Sequence, residues 1–270
     1  MDDRPIGMFD SGFGGLTVAR AVIDLLPGED LVYFGDTGRY PYGPRPLDDV
    51  RAYSQQIADL LCGAHGVKLL VVACNTATAA ALDVLHKDCP VPVIGVIEPG
   101  VRAAVAATRN GRIGVIGTVG TIGSGAYQTA VLDTGKDVRL TCASCPGFVE
   151  LVEKGETASD GAYVLAERLL APVRQAAVDT LLLGCTHYPF LARTIGDVMG
   201  RGVVLVSSAD ETAFEVRAVL ADRRLTAEPG REGGHRFISS GDVAWFRALG
   251  SRLLGPELGE VEEWRWELPA

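Results

Sequence analysis

Short apolar runs recur along the chain and alternate with longer stretches of helical periodicity. IGMF (6–9), LVYF (31–34), KLLVVA (68–73), VPVIGV (91–96), RIGVIG (112–117), DTLLLG (179–184) and VVLVS (203–207) are rich in β-branched residues and bounded by polar or glycine punctuation. That pattern predicts buried strands. HRFISSGD (235–242) reads as a further strand ending in a polar turn. LTVARAVIDLL (16–26) has helical spacing and stops at Pro27-Gly28. ADETAFEVRAVLADRR (209–224) reads as a helix able to cross back to the first strands. Strand–helix alternation of this kind predicts an α/β fold with mainly parallel sheets covered on both faces.

The chain also echoes itself. IGMFDSGFGG (6–15) resembles IGVIGTVGT (113–121), and VVACNT (71–76) resembles LLLGCT (181–186), each pair at an offset of about 110 residues. Two pseudo-symmetric α/β lobes follow, with residues 1–97 plus 208–270 in the first and 98–207 in the second. Ligands of open α/β sheets bind beyond the carboxyl ends of the strands. Two such edges facing each other would bury a site in the cleft between the lobes.

Composition narrows the function. The 270 residues are 47% hydrophobic, enough for a substantial core, and no run approaches the ~20 apolar residues of a membrane span. The start, MDDRPIGMFD, lacks the apolar segment of a secretory signal, so a cytoplasmic location is expected, with no membrane association. A net charge of −9 argues against direct nucleic-acid binding. Six cysteines in a reducing compartment are expected to be free thiols. Cys142 and Cys145 form a lone CxxC without a second ligand pair, so core cysteines are expected rather than a metal site. GFGG (12–15) lacks the full GxGxxG pattern and no phosphate-loop lysine follows, which weighs against a nucleotide cofactor.

Cys74 and Cys185 carry the chemistry. Each leaves an apolar run directly into small polar residues, Asn75-Thr76 in one case and Thr186-His187 in the other. Backbone N–H groups at a strand-to-helix turn, with these hydroxyls and the amide, suit a carboxylate. A single catalytic thiol would suggest a nucleophile; two in matching lobes suggest proton exchange on opposite faces of one carbon, as a racemase requires. A thiol pKa of about 8.5 needs tuning for that task. His187 lies two residues from Cys185, and Asp10, in FDSGFGG beside Ser11, is the candidate in the first lobe. The alternative reading makes Asp10 only a helix cap and His187 only a satisfied polar contact.

FDSGFGGLTV (9–18), YFGDTGRYPYG (33–43), ACNTAT (73–78), GCTHYPF (184–190) and the ETA of SSADETA (207–213) together resemble the bacterial glutamate racemases, of the cofactor-independent aspartate/glutamate racemase superfamily. The resemblance spans most of the chain. It implies interconversion of L- and D-glutamate, feeding D-glutamate to peptidoglycan synthesis, without pyridoxal phosphate, metal or other cofactor. On the matching positions it implies Cys74 and Cys185 as the two proton donors and acceptors, assisted by Asp10 and His187. Substrate contacts would come from Asp10, Ser11, Tyr42, Gly43, Asn75, Thr76, Thr186 and His187, with Thr118 and Thr121 as further candidates in the second lobe and Glu153 as another cleft residue. Members are commonly homodimers, and some are associated with inhibition of DNA gyrase. Members activated by a peptidoglycan precursor tend to carry an N-terminal extension; with its first strand so near the start, this chain is expected to lack that activation. Where the family often has Asp-Ser, this chain has Ser207-Ser208. Three other readings stay open at this stage. They are a racemase of aspartate or another small acid, a one-thiol cysteine hydrolase, and a non-catalytic protein that binds a partner.

Overall fold

In the computed structural model, which describes residues 1–266, the apolar runs form strands. The ten strands are β1 (Ile6–Asp10), β2 (Leu31–Gly35), β3 (Leu69–Val72), β4 (Val93–Gly95), β5 (Arg112–Gly117), β6 (Arg139–Ser144), β7 (Thr180–Gly184), β8 (Val204–Ser207), β9 (His235–Ser239) and β10 (Val261–Glu263). They build two sheets, one in the order β10-β9-β2-β1-β3-β4 and one in the order β6-β5-β7-β8, with every pairing parallel. Two α/β lobes result, as the alternation predicts.

Both faces of each sheet are covered, which is why the strands read as continuous apolar runs. In the first lobe Leu31, Tyr33, Leu69 and Val71 pack into one core layer; Val32, Phe34, Leu70 and Val72 pack into the other. In the second, Ile113, Val115 and Leu182 face one side, while Ile116, Leu181 and Leu183 face the opposite side. Helix Leu16–Leu25 buries Leu16, Ala19, Val22 and Ile23 along one stripe. Helix Ser208–Asp222 starts on the Ser207 hydroxyl, which accepts from Ala209 N, and carries Asp210 and Glu211 in its first turn. It packs against helix Leu16–Leu25 and so leads the chain from the four-stranded sheet back to the six-stranded one.

Three details depart from the sequence pattern. VVLVS, read as buried, is a sheet edge: β8 pairs on one side only, and Val204 is exposed. β6 (RLTCAS) is missed because its half-exposed edge position tolerates Arg, Thr and Ser, which break the apolar run. β10 is a three-residue edge strand of one valine and two glutamates, too short and polar to register.

Both sheets share one topological feature. β1 lies between β2 and β3, and β5 lies between β6 and β7, so each lobe has a point where successive connections turn to opposite sides. A crevice opens there beyond the strand ends.

At the opposite end of the second sheet, Asp179 gathers the strand starts. It accepts from Thr108 Oγ1 (2.6 Å), from Arg109 N and Asn110 N (2.7 Å each) and from Thr180 Oγ1 (3.1 Å). Partial desolvation acts to raise its pKa, but these donors outweigh it and hold the carboxyl at about 2, below the ordinary 3.8. A folded-state pKa below the unfolded one contributes stability that is present above the ordinary value and lost as pH falls toward the folded value. Asp179→Ala is expected to cost about 1 kcal/mol at neutral pH, given the site's partial exposure, and so to lower Tm by about 2–4 °C. Melting curves from pH 7 to pH 2 check this: the gap between the two proteins should close as pH falls below about 4.

Candidate active site

Strand ends bring the chemistry to one place. Asp10 is the last residue of β1, Cys74 lies just past β3, Thr118 follows β5, Cys145 follows β6 and Cys185 follows β7. A cavity of about 380 Å³ lies among them. Asp10, Ser11, Tyr42, Gly43, Cys74, Asn75, Thr76, Thr118, Glu153, Cys185, Thr186 and His187 all line it. Thr121 does not. It is buried behind the wall, where its hydroxyl meets those of Thr76 (3.0 Å) and Thr118 (2.9 Å).

Cys74 caps helix Asn75–Asp88 in an extended conformation, which aims the side chain away from the helix and into the cleft. Its Sγ is 3.9 Å from Ser11 Oγ, and the Asp10 carboxylate lies beside it. Two backbone amides hold Asp10 in place: its Oδ2 accepts from Gly15 N (2.9 Å) and Gly12 N (3.3 Å). Burial, then the Asp10 charge, push the Cys74 thiol up to about 12, against the opposing pull of the Ala77 and Ser11 amides. Cys185 is likewise raised by burial, against the His187 amide. Its Sγ lies 3.9 Å from His187 Nδ1.

His187 is buried, and burial lowers its pKa from the ordinary 6.5, so the ring is neutral at neutral pH. Its Nε2 lies 4.0 Å from Glu153 Oε1, a contact between a neutral ring and a carboxyl rather than an ion pair. Glu153 is itself raised by burial and receives the Tyr40 hydroxyl from the other lobe. The lobes approach closely here because residue 14 is glycine. A Cβ at Gly14 would stand 2.2 Å from Thr186 Oγ1 and 2.5 Å from His187 Nδ1.

Further bonds cross the cleft. Thr76 Oγ1 meets Thr118 Oγ1 at 3.1 Å, Gly120 N donates to Gly43 O at 2.9 Å, and the Tyr127 hydroxyl donates to Asn75 Oδ1 at 2.7 Å. Tyr42 is set from behind, since its hydroxyl donates to fully buried Asp36. Asp36 also accepts from Arg39 Nε (2.7 Å), Ser240 Oγ (2.6 Å) and Trp266 Nε1 (3.0 Å).

Sequence reasoning missed Tyr40, Asp36, Glu150, Cys145 and Tyr127. Tyr40 and Asp36 stand inside YFGDTGRYPYG, and the density of polar residues after β2 was their available signal. Glu150 and Cys145 line the cavity only because β6 ends, and the helix after it, Phe148–Lys154, begins, at its rim. Cys145, expected as a core cysteine, is buried as that reading requires and also forms part of the cavity wall. Tyr127 has no signal in its neighbours.

Residues 16–216 match the Asp/Glu/Hydantoin racemase family. The glutamate racemase of Beutenbergia cavernae is 53% identical to this chain, covering 97% of it and 94% of the relative. Among solved structures, glutamate racemase isoform RacE1 from Bacillus anthracis superposes with a TM-score of 0.93 at 39% identity, covering 100% of this chain and 99% of that one. The glutamate racemase of Francisella tularensis, solved in complex with D-glutamate, superposes at 0.90 with 31% identity, covering 97% and 98%. With the matched segment, the near-full-length relatives and the two-lobed architecture in agreement, the chain belongs to the bacterial glutamate racemases of the Asp/Glu racemase superfamily.

Proposed function

We propose that the protein interconverts L- and D-glutamate by two-base proton transfer, with Cys74 and Cys185 as the paired acid/base groups. The observation that carries this reading is the equivalent placement of two thiols, each just past the third strand of its own lobe's repeat, on one shared cavity. One thiolate removes the α-proton; the thiol of the other lobe returns a proton to the opposite face. The direction of catalysis sets which does which.

The raised pKa values set the problem that the neighbours solve. Both buried thiols are protonated at neutral pH. The α-ammonium of a bound amino acid brings a positive charge beside them and favours a thiolate. His187, neutral and 3.9 Å from Cys185 Sγ, takes the proton and leaves an imidazolium next to the sulfur. Asp10, beside Cys74, does not favour that thiolate by its charge; it is assigned to accept the thiol's proton or to bind the substrate ammonium. Ser11, Asn75, Thr76, Thr118 and Thr186, with Tyr42 and the backbone at Gly43, are assigned to the ammonium and the two carboxylates; Thr121 is reassigned to supporting Thr76 and Thr118. A water-poor cavity strengthens each of these interactions as negative charge develops on the α-carbon. The reading invokes no cofactor. It also carries the division of the chain into residues 1–97 with 208–270 and residues 98–207, a homodimer, a cytoplasmic location and a role in supplying D-glutamate for peptidoglycan.

Incubation with L-glutamate in D₂O is expected to abolish optical rotation while deuterium enters the α-carbon. Folded wild-type protein that changes neither signal would overturn the reading, and parallel runs on L-aspartate test the choice of substrate. Cys74→Ala and Cys185→Ala should each reduce kcat/KM by at least about a hundredfold; near-normal turnover in either excludes the two-thiol scheme. The pH profile supplies a third check. With His187 required neutral and its pKa lowered, the acid limb of kcat/KM should fall below the ordinary imidazole value of about 6.5. His187→Asn should lower kcat and remove that limb, and a limb unchanged in the variant assigns it to another group.

A further inference from the structure

Asn75 is buried, lines the cavity, and is only half satisfied. Its Oδ1 accepts from the Tyr127 hydroxyl at 2.7 Å, while its Nδ2, sealed from solvent, has no hydrogen-bond partner among the described residues. A buried amide N–H without an acceptor is costly and calls for an explanation.

Tyr127 comes from the other lobe, on helix Ala126–Asp133, and is itself buried. Its ring lies over Gly184, the residue before Cys185. A Cβ on Gly184 would stand 2.9 Å from the Tyr127 hydroxyl and 3.0 Å from its Cε2. One side chain therefore touches the residue after the first thiol and the backbone before the second. Burial raises the Tyr127 pKa far above its ordinary value, so the group stays a neutral donor.

The two ends of a side-chain amide are nearly equal in size, and its hydrogen-bond partners decide which way it turns. Donation from Tyr127 to Oδ1 leaves Nδ2 as the free end. The inverted amide would instead spend Nδ2 on the Tyr127 oxygen and leave a carbonyl oxygen to meet an anionic substrate. We infer that Tyr127 is a positioning residue that locks the Asn75 amide from across the cleft and reserves its Nδ2 for a substrate carboxylate. The inference rests on the racemase reading above. Because the hydroxyl belongs to the second lobe, the amide is set only when the lobes are together, which ties carboxylate recognition to cleft closure.

The test is a double-mutant cycle on the full chain, reading KM and kcat for D- and L-glutamate in wild type, Tyr127→Phe, Asn75→Ala and the double variant. Tyr127→Phe is expected to raise KM about tenfold with a smaller change in kcat, and to add less than about twofold in the Asn75→Ala background. An equal cost in both backgrounds would mean that Tyr127 acts through packing alone, and no cost in the wild-type background would mean that it does not act; either overturns the inference. Asn75→Asp keeps an acceptor for Tyr127 but removes the donor, so it should lose binding at least as severely as Asn75→Ala, and a near-normal KM in that variant also overturns it. Where turnover is too slow to measure, the Kd for D-glutamate by titration calorimetry supplies the same cycle. Racemisation by the wild type is measured alongside, so failure of the racemase reading is seen separately.

Discussion

Two parallel sheets must face each other with their carboxyl strand ends, and everything at the site depends on the hydrogen bonds that hold them so. The bonds are few and polar: Tyr127 to Asn75, Tyr40 to Glu153, Thr76 with Thr118 and Thr121, and Gly120 to Gly43. Each involves a residue that lines the cavity: Asn75, Tyr40, Thr76 or Gly43. The contact that fixes the relative position of the lobes is thus the same contact that shapes the site. Polar contacts of this kind are weak one by one, which suits a cleft that must admit and release a small acid.

The site is built on a conflict between burial and acidity. Excluding water strengthens the electrostatics that a carbanion needs, but it also raises the thiols, to about 12 for Cys74. A lone buried thiol at neutral pH would be an inert core residue, and Cys145, also raised to about 12 by burial, lies on the same cavity without a histidine or carboxylate assigned to it. Cys74 and Cys185 differ from it through their neighbours, Asp10 and His187. The Gly12 and Gly15 amides hold Asp10, and His187 packs close against the backbone at Gly14.

Most of the fold and much of the site were legible beforehand, for a physical reason. Strands covered on both faces must be apolar at every position, so β1, β3, β5 and β7 announce themselves as runs. The residue that follows such a run stands at a strand end, which is why Cys74 and Cys185 could be placed on a cavity without coordinates. β6 and β10 stayed hidden because edge strands face solvent and accept polar residues. Thr121 looked equivalent to its neighbours in the second-lobe turn, yet one turn of helix separates a residue on the cavity from one behind it.

Sequence alone determined the α/β class, the internal duplication and the two thiols at matching strand ends, because each is written in local periodicity and spacing. Only the tertiary structure decided which polar groups meet across the cleft. Tyr127 reaching Asn75, Tyr40 reaching Glu153, and Thr76 meeting Thr118 all join residues far apart in the chain. Contacts of that kind depend on how two packed layers dock, and local pattern carries no record of the docking.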